Sequence, residues 1–158
     1  MPSQSSPSMQ LSTVLGFMKL LWATVHGLQK TSKRMERELT VSGPQRLALL
    51  FIERQPNISP GQLARLMQLH PSTITGVLQR LEDRRLIRRI TDDRDGRRMH
   101  LLLTARGRRM NRPHHRGTVE QAVRHTLDKF GERRLKSAGE VLNTLAEGLI
   151  SGGAKARR

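Results

Sequence analysis

Two prolines at the starts of consecutive short helices constrain the fold of this chain more than any other feature. Ser59 precedes Pro60, and Gln62 follows Ser59 at the third position, which is the pattern of a helix capping box. Pro71 again fits the first position of a helix, where its missing backbone N–H is not needed. The stretch from Ser59 to Arg84 is therefore predicted to hold two short helices joined by a tight turn, a helix-turn-helix.

Each predicted helix of this region has an apolar side that can seat it in a core. The helix opened by Gly43-Pro44 is expected to bury a stripe of Leu47, Leu50 and Phe51. The apolar side of the helix after Pro71 consists of Ile74, Val77, Leu78 and Leu81. Its opposite side carries small or hydrogen-bonding residues: Ser72, Gly76, Gln79 and Asp83. This polar side is the candidate recognition surface.

Two strand-like runs follow the helix-turn-helix, from Leu86 to Thr91 and from Met99 to Leu103. The segment between them is polar and turn-prone, with Gly96 available for positive φ. Thr104 is placed to cap the next helix. A hairpin with a basic tip after a recognition helix is a wing. The predicted fold class is mainly α (α+β), with a winged helix-turn-helix over residues 43–104 that has a two-stranded β-wing.

The polar side of the second short helix carries groups that can read a DNA duplex. Gly76 lies in its middle, where the absence of a side chain lets the backbone approach a groove floor. Gln79 has the amide that pairs with adenine, and Arg80 can reach guanine or phosphate. Three hydroxyl residues can donate to phosphates or bases or contact a thymine methyl: Ser72, Thr73 and Thr75. The alternative interpretation is an ordinary solvated helix face.

The wing is predicted to enter a minor groove, whose negative potential attracts guanidinium groups such as those of Arg94, Arg97 and Arg98. Asp95 is expected to orient one of these arginines by a charge-assisted hydrogen bond. A solvated loop is the alternative. The predicted DNA-contacting residues are Ser59, Gln62, Pro71, Ser72, Thr73, Thr75, Gly76, Gln79, Arg80, Arg94, Asp95, Arg97 and Arg98. Further phosphate or surface contacts are expected at Arg84, Arg85, Arg88 and Arg89.

Composition favours a duplex over other partners. Lys and Arg number 29 against 13 Asp and Glu, a net charge of +16 that suits a polyanion, with nucleic acid ahead of an anionic membrane surface. Aromatic residues are 3% of the chain, too few for the stacking platforms that bind single strands.

The absence of cysteine excludes disulfides and thiolate metal sites, and a reducing cytoplasm is the expected compartment. No apolar run is long enough to span a bilayer.

Amphipathic helices are predicted on both sides of the central domain, over residues 11–38 and 105–150. Their apolar stripes are expected to pair two subunits through Leu11, Val14, Met18, Leu21, Val25, Leu135, Leu142, Leu145 and Leu149. The alternative is that these helices simply cover the central domain. Residues 1–10 are rich in Ser, Pro and Gln and are predicted to be a disordered tail, and residues 151–158 a basic one.

About 65 residues resemble the MarR (multiple antibiotic resistance regulator) family of bacterial winged helix-turn-helix transcription regulators. The matching runs extend from Ile58 to Ala64, Pro71 to Val77, Leu81 to Arg89, Asp95 to Arg97, and Leu103 to Gly107. Their order and spacing make the resemblance specific.

Two features depart from the family pattern. Arg85 stands where a glycine is usual, which predicts a differently shaped helix end. The stretch from Pro113 to Gly117 interrupts a helix that is normally long.

The resemblance implies a cytoplasmic, nucleoid-associated homodimer that binds a pseudopalindromic duplex, with recognition helices in successive major grooves and wings in flanking minor grooves. It implies that Arg97 is the minor-groove arginine and Asp95 its orienting partner. It also implies a repressor relieved by a small ligand, for which a small organic anion is the expected class. No cofactor is expected.

Other functions have less support. No phosphate-binding loop, His-Glu-x-x-His or nucleophile motif is present, so an enzyme is disfavoured. His114, His115 and His125 lack the carboxylates of a metal site. A nucleoid-type architectural protein with little sequence specificity is the main alternative, because high positive charge serves it equally. A winged helix that binds only protein is the third.

Overall fold

The computed structural model describes residues 7–91, 98–112 and 117–155. Its elements are α1 (Pro7–Leu39), α2 (Gly43–Arg54), α3 (Pro60–Leu66), α4 (Pro71–Asp83), β1 (Ile87–Thr91), β2 (Met99–Leu103), α5 (Ala105–Met110), α6 (Val119–Leu127) and α7 (Glu132–Lys155). The chain forms two compact units with a boundary after Val119. Within the part that is described, no helix is long and apolar enough to cross a membrane.

Local capping determines where the short helices begin. The predicted capping box of α3 is confirmed: the backbone N–H of Ser59 donates to Gln62 Oε1 at 2.9 Å, and the N–H of Gln62 donates to Ser59 Oγ at 3.2 Å. The predicted cap of α5 is confirmed as well, since Thr104 Oγ1 accepts from the N–H of Gly107 at 3.1 Å. A further capping box, formed by Ser42 and Gln45, opens α2.

The core of the first unit lies between α2, α3, α4 and the hairpin. Its fully buried side chains include Leu49, Ile52, Leu63, Ile74, Leu78, Leu81, Leu86 and Leu101. The predicted apolar side of α4 is buried or half-buried throughout. The predicted stripe of α2 is wrong, because the helix buries Gln45, Ala48, Leu49 and Ile52, whereas Leu47 is exposed and Leu50 and Phe51 are half-buried. The predicted and the observed residues both recur at the spacing of a helix face. Packing against the other elements of the core determines which of the two faces is buried.

Two predicted segment ends are corrected by the structure. α1 begins at Pro7 rather than at residue 11, so residues 7–10 of the predicted tail are helical. Proline is pre-organised for the first turn of a helix, which explains the early start. α7 continues to Lys155 and takes in most of the predicted basic tail. α5 ends at Met110 and α6 begins at Val119, whereas most of the stretch where a break was expected, residues 113–116, lies outside the described residues.

The C-terminal end of α1 packs against the winged helix-turn-helix, as the covering alternative expected. Met35 is buried, and Leu39 packs against the core. Ser32 Oγ accepts from the backbone N–H of Gly43 at 2.7 Å, and Arg34 Nη2 donates to the carbonyl of Gly117 at 2.6 Å. The earlier part of α1 differs, because seven large apolar side chains between positions 14 and 28 are exposed.

The wing is a two-stranded antiparallel sheet in which Ile87 pairs with Leu103 and Thr91 with Met99. The N–H of Leu101 also donates to the carbonyl of Ile58 at 2.9 Å, which ties β2 to the loop before α3. At the other end of the hairpin, the carbonyl of Leu86 accepts from the N–H of Thr104 at 3.0 Å and from Thr104 Oγ1 at 3.2 Å. The hairpin is therefore held at its base, where Leu86 and Thr104 meet, and through Leu101 of β2.

Two buried polar side chains fix the end of α5 on α2. Arg46 is only 2% exposed and donates from Nη1 to the carbonyl of Met110. Asn111 Nδ2 donates to the carbonyl of Leu49 at 2.9 Å and to Glu53 Oε2 at 3.0 Å. A cation at the C-terminal end of a helix interacts favourably with the helix dipole. The Arg46 bond satisfies a carbonyl that the C-terminal end of α5 leaves open.

Gly107 allows α5 to approach the base of the hairpin, where Leu86 and Thr104 meet. A Cβ at this position would lie 2.0 Å from the carbonyl oxygen of Leu86. We expect Gly107→Ala to lower the free energy of unfolding by about 1–3 kcal/mol, because the backbone must move to admit a methyl group. Chemical denaturation followed by circular dichroism measures this change. Gly61→Ala is the control, since nothing lies within 4 Å of its Cβ. Equal effects of the two substitutions would contradict the close approach.

Arg85 occupies a position that favours glycine. Its φ is 56°, in the left-handed region. The N–H of Arg85 donates to the carbonyl of Glu82 at 2.7 Å, and the N–H of Leu86 donates to that of Leu81 at 2.9 Å. These two bonds form a Schellman motif, the usual glycine-dependent helix end. The expected change of helix shape is therefore wrong: arginine adopts the conformation that glycine would adopt.

We expect Arg85→Gly to raise the free energy of unfolding by about 0.5–1 kcal/mol. Relief of the left-handed strain outweighs the greater entropy of glycine in the unfolded chain. Arg84→Gly is the matched control, because Arg84 has φ −86° and the substitution there should destabilise. Thermal unfolding of both variants tests the difference in sign, and a stability loss in both would contradict the strain.

Candidate nucleic-acid interface

The predicted recognition surface of α4 is exposed over its whole length. Its exposed residues are Pro71, Ser72, Thr73, Thr75, Gly76, Gln79, Arg80 and Asp83. A Cβ added to Gly76 would meet no atom within 4 Å, so the middle of this face is open. The buried residues Ile74, Leu78 and Leu81 hold the helix from behind. The helix therefore presents a shallow polar face that an approaching duplex backbone or base edge can reach.

His70 begins the recognition helix, a role that the sequence reasoning missed. Its Nδ1 accepts from the backbone N–H of Ser72 at 3.3 Å and lies 2.7 Å from Ser72 Oγ. The imidazole thus does what Ser, Thr, Asp or Asn usually does at an N-cap. Its position immediately before Pro71 was the available signal. The hydroxyl of Ser72 is engaged by this cap, which fixes its direction relative to the helix.

Two further side chains of the face are oriented by neighbours on α4. Thr75 Oγ1 donates to the carbonyl of Pro71 at 2.9 Å, so its hydroxyl proton is not available to a ligand, whereas its methyl group is. Gln79 Nε2 donates to Asp83 Oδ1 at 2.9 Å. Asp83 therefore holds the carboxamide of Gln79, whose oxygen and second N–H can still pair with a base. The face is ordered before any ligand binds.

A groove of about 550 Å³ separates α3 from the wing strand β2. Its lining residues are Ser59, Pro60, Gln62, Arg65, Arg98, Met99 and His100. We call it the α3–wing groove. It brings together three predicted contacts, Ser59, Gln62 and Arg98, and adds Arg65 and His100. Arg65 lies one helical turn after Gln62, a spacing that the sequence already shows.

The four arginines predicted as further phosphate or surface contacts differ in whether they bond to other residues of the first unit. Arg89 Nε lies 3.0 Å from Glu82 Oε2, and Arg84 Nη1 donates to Gln45 Oε1 at 3.3 Å, so both make contacts within the unit. Arg85 and Arg88 are exposed, as is Arg98. Three predicted wing residues, Arg94, Asp95 and Arg97, lie outside the described residues.

The predicted dimerisation residues mostly present apolar surface. Val14, Met18, Leu142 and Leu149 are exposed, whereas Leu21, Val25, Leu135 and Leu145 are half-buried. The side chain of Leu11 is not among those described. The sequence reasoning passed over further exposed apolar residues of the second unit: Val123, Leu127, Phe130, Val141 and Ile150.

No cluster of three or more metal-ligating side chains occurs among the described residues. His114 and His115 lie outside them, and His125 is on α6.

The comparisons with known proteins agree with this geometry. Residues 39–98 match the family model described as the MarR family. Among solved structures, MepR of S. aureus in complex with DNA is 18% identical, with a TM-score of 0.68, covering 84% of this chain and 97% of that one. FabT of Streptococcus pneumoniae in complex with DNA is 23% identical, with a TM-score of 0.62 and coverages of 89% and 98%.

The transcriptional regulator SlyA is 17% identical, with a TM-score of 0.69, covering 89% of this chain and 99% of that one. A comparison with curated proteins finds no match. The resemblance to the MarR family is therefore confirmed, and so is the predicted fold class. The chain has the winged-helix fold of these solved structures, and its residues 39–98 match the MarR family model.

Proposed function

We propose that this protein is a sequence-specific, duplex-DNA-binding transcription regulator. The observation that carries the proposal is the exposed and pre-oriented face of α4, flanked by the donor-rich α3–wing groove. Gly76 lets the helix approach a groove floor, and Gln79 and Arg80 supply hydrogen-bonding groups for base edges. Arg65 and Arg98 line the α3–wing groove, where they can contact phosphates.

The proposal includes a homodimer, because large apolar side chains exposed along two long helices need cover. Trp22 is 65% exposed on α1, and Leu142 is 56% exposed on α7. Seven such side chains are exposed on α1 between positions 14 and 28, and apolar patches of this kind mark an interface. A two-fold pair would offer two copies of α4 to a pseudopalindromic site. We further propose, from the family resemblance, that the dimer represses transcription and is released by a small organic anion.

Binding to genomic DNA tests the proposal. Sheared DNA from the native organism is captured by the protein at physiological salt with excess random duplex, and the retained fragments are sequenced. We expect enrichment of a few fragments that share an inverted repeat. Uniform retention would indicate an architectural protein, and no retention would reject DNA binding. Gly76→Glu should abolish enrichment, whereas Gly131→Glu, which adds the same charge in open space elsewhere, should not.

Thr75 offers a test of contact chemistry on the recognition helix. Because its hydroxyl donates to Pro71, we expect Thr75→Val to retain affinity for an enriched fragment. Thr75→Ser removes the methyl group and should weaken binding by about 0.8 kcal/mol, roughly fourfold. Fluorescence anisotropy with one labelled fragment measures both. Full affinity in the serine variant with loss in the valine variant would show that the hydroxyl is the contact.

Leu142 offers a test of the proposed interface. Leu142→Glu places a charge in the apolar stripe of α7, and burial of an unpaired charge opposes association. We expect the variant to shift towards monomer at micromolar concentration in sedimentation velocity. Thr144→Glu, on the opposite face of the same helix, should leave the oligomeric state unchanged. A Leu142→Glu variant as dimeric as the wild type would place the interface elsewhere.

A further inference from the structure

We propose that α1 carries a second DNA-binding surface, with which the protein holds a second duplex segment while α4 is bound to the first. The surface consists of four exposed basic residues, His26, Lys30, Lys33 and Arg37, and we call it the α1 basic stripe. The proposal rests on the DNA-binding function proposed above and adds to it a bridge between two duplexes.

The four side chains of the stripe lie along one line of the helix. At about 3.6 residues per turn, positions 26, 30, 33 and 37 fall within about 40° of a common line. Lys30, Lys33 and Arg37 line one surface depression together with Glu36. Arg37 follows His26 by 11 positions, and at 1.5 Å per residue the stripe is about 16 Å long. Over that length a duplex carries about ten phosphate charges.

The permanent cations of the stripe are not paired within the described part of the chain. Among the described residues, none forms an ion pair or a side-chain hydrogen bond with Lys30, Lys33 or Arg37. Successive members of the stripe are three or four positions apart, and like charges at those spacings destabilise a helix. A polyanion that lies along the stripe removes this repulsion, so the stripe is suited to bind one.

The stripe is on the face of α1 that turns away from the winged helix-turn-helix. Met35 is buried against that domain and lies about 160° round the helix from Arg37. Two residues of the proposed subunit contact, Val14 and Leu21, also lie near the side opposite the stripe, at about 140° and 160° from Arg37. The stripe therefore stays open to solvent both in the single chain and in the proposed homodimer.

The arrangement of the helices favours a second duplex over a continuation of the first. α2 packs against both α1 and α4. The stripe faces away from the buried side of α1, and the polar face of α4 faces away from its own buried side. Duplex DNA has a persistence length of about 50 nm, so bending it round one small domain is costly. A duplex bound to α4 thus leaves the stripe to another segment.

The surroundings of the stripe favour nucleic acid over a membrane or an acidic protein. After Leu28, no described residue of α1 is a large, exposed apolar one. A helix that lies in a membrane surface needs an apolar face to insert, and here that face is turned to the core through Met35 and Leu39. A protein interface needs an apolar centre. A phosphate backbone needs only the cations.

A bridging assay tests the proposal. A genomic fragment enriched by the protein is fixed on beads, saturated with full-length protein and washed, and a fluorescent random-sequence duplex is then titrated onto the beads. We expect the loaded beads to bind this second duplex. The combined variant Lys30→Gln, Lys33→Gln and Arg37→Gln should load equally well on the first fragment and bind the second duplex roughly tenfold more weakly.

The matched control removes three cations from another exposed helix surface. Arg133→Gln, Arg134→Gln and Lys136→Gln on α7 change the net charge by the same amount and should leave binding of the second duplex as it is in the wild type. Equal losses in both combined variants would show a general effect of charge and would overturn the proposal. Loaded wild-type beads that bind no second duplex would overturn it as well. Wild-type protein that does not load on the first fragment instead rejects the function on which the bridge rests.

Lysine acetylation of the wild-type protein, read by mass spectrometry, gives a result that does not depend on a variant. We expect Lys30 and Lys33 to stay reactive when one short fragment is bound and to become protected when excess random duplex is added, whereas Lys136 stays reactive throughout. Protection by the first fragment alone would place the stripe on the same duplex as α4. Protection by polyglutamate or phosphatidylglycerol vesicles, but not by duplex, would assign it to a protein or a membrane. Either result overturns the proposal.

Discussion

The carbonyl of Leu86 is the atom on which the arrangement of this winged helix-turn-helix depends. It accepts from both the N–H and the hydroxyl of Thr104, and Gly107 has no side chain so that α5 can lie against it. The N–H of the same residue closes the Schellman motif that ends α4. One residue thus joins the recognition helix, both wing strands and the helix that leaves the domain. Movement of any of these elements is resisted by the other three.

The candidate nucleic-acid interface combines side chains of fixed orientation with a high density of hydrogen-bond donors. His70 and Asp83 orient two groups on α4 through hydrogen bonds of ordinary length, and the capping box of α3 holds Gln62. Side chains ordered in advance lose less entropy when they bind. The net charge of +16 attracts a polyanion without selecting a sequence. In the function proposed above, selectivity would therefore come from the small, ordered face of α4, and the surrounding arginines would contribute affinity.

Features determined by local chemistry could be predicted from the sequence, and features determined by distant contacts could not. Ser59, Pro71 and Thr104 act within one helical turn, so helix starts and the buried side of α4 were predictable. The buried side of α2 depends on which elements pack against it, and two stripes of equal spacing competed there. The α3–wing groove depends on a bond between His100 and Asn57, which are 43 positions apart. No local pattern reports such a pairing.

The single long helix α1 couples two regions that differ in chemistry. Its exposed apolar stretch and its anchored end at Met35 belong to one continuous rod, and 21 residues separate Val14 from Met35. At 1.5 Å per residue this distance is about 32 Å, so a tilt of about 10° moves one end by roughly 5 Å relative to the other. Ser32 and Arg34 attach the rod to Gly43 and Gly117. In the proposed homodimer, a modest rotation of α1 at the subunit contact would therefore displace the winged helix-turn-helix by a distance comparable to the spacing of one and a half base pairs.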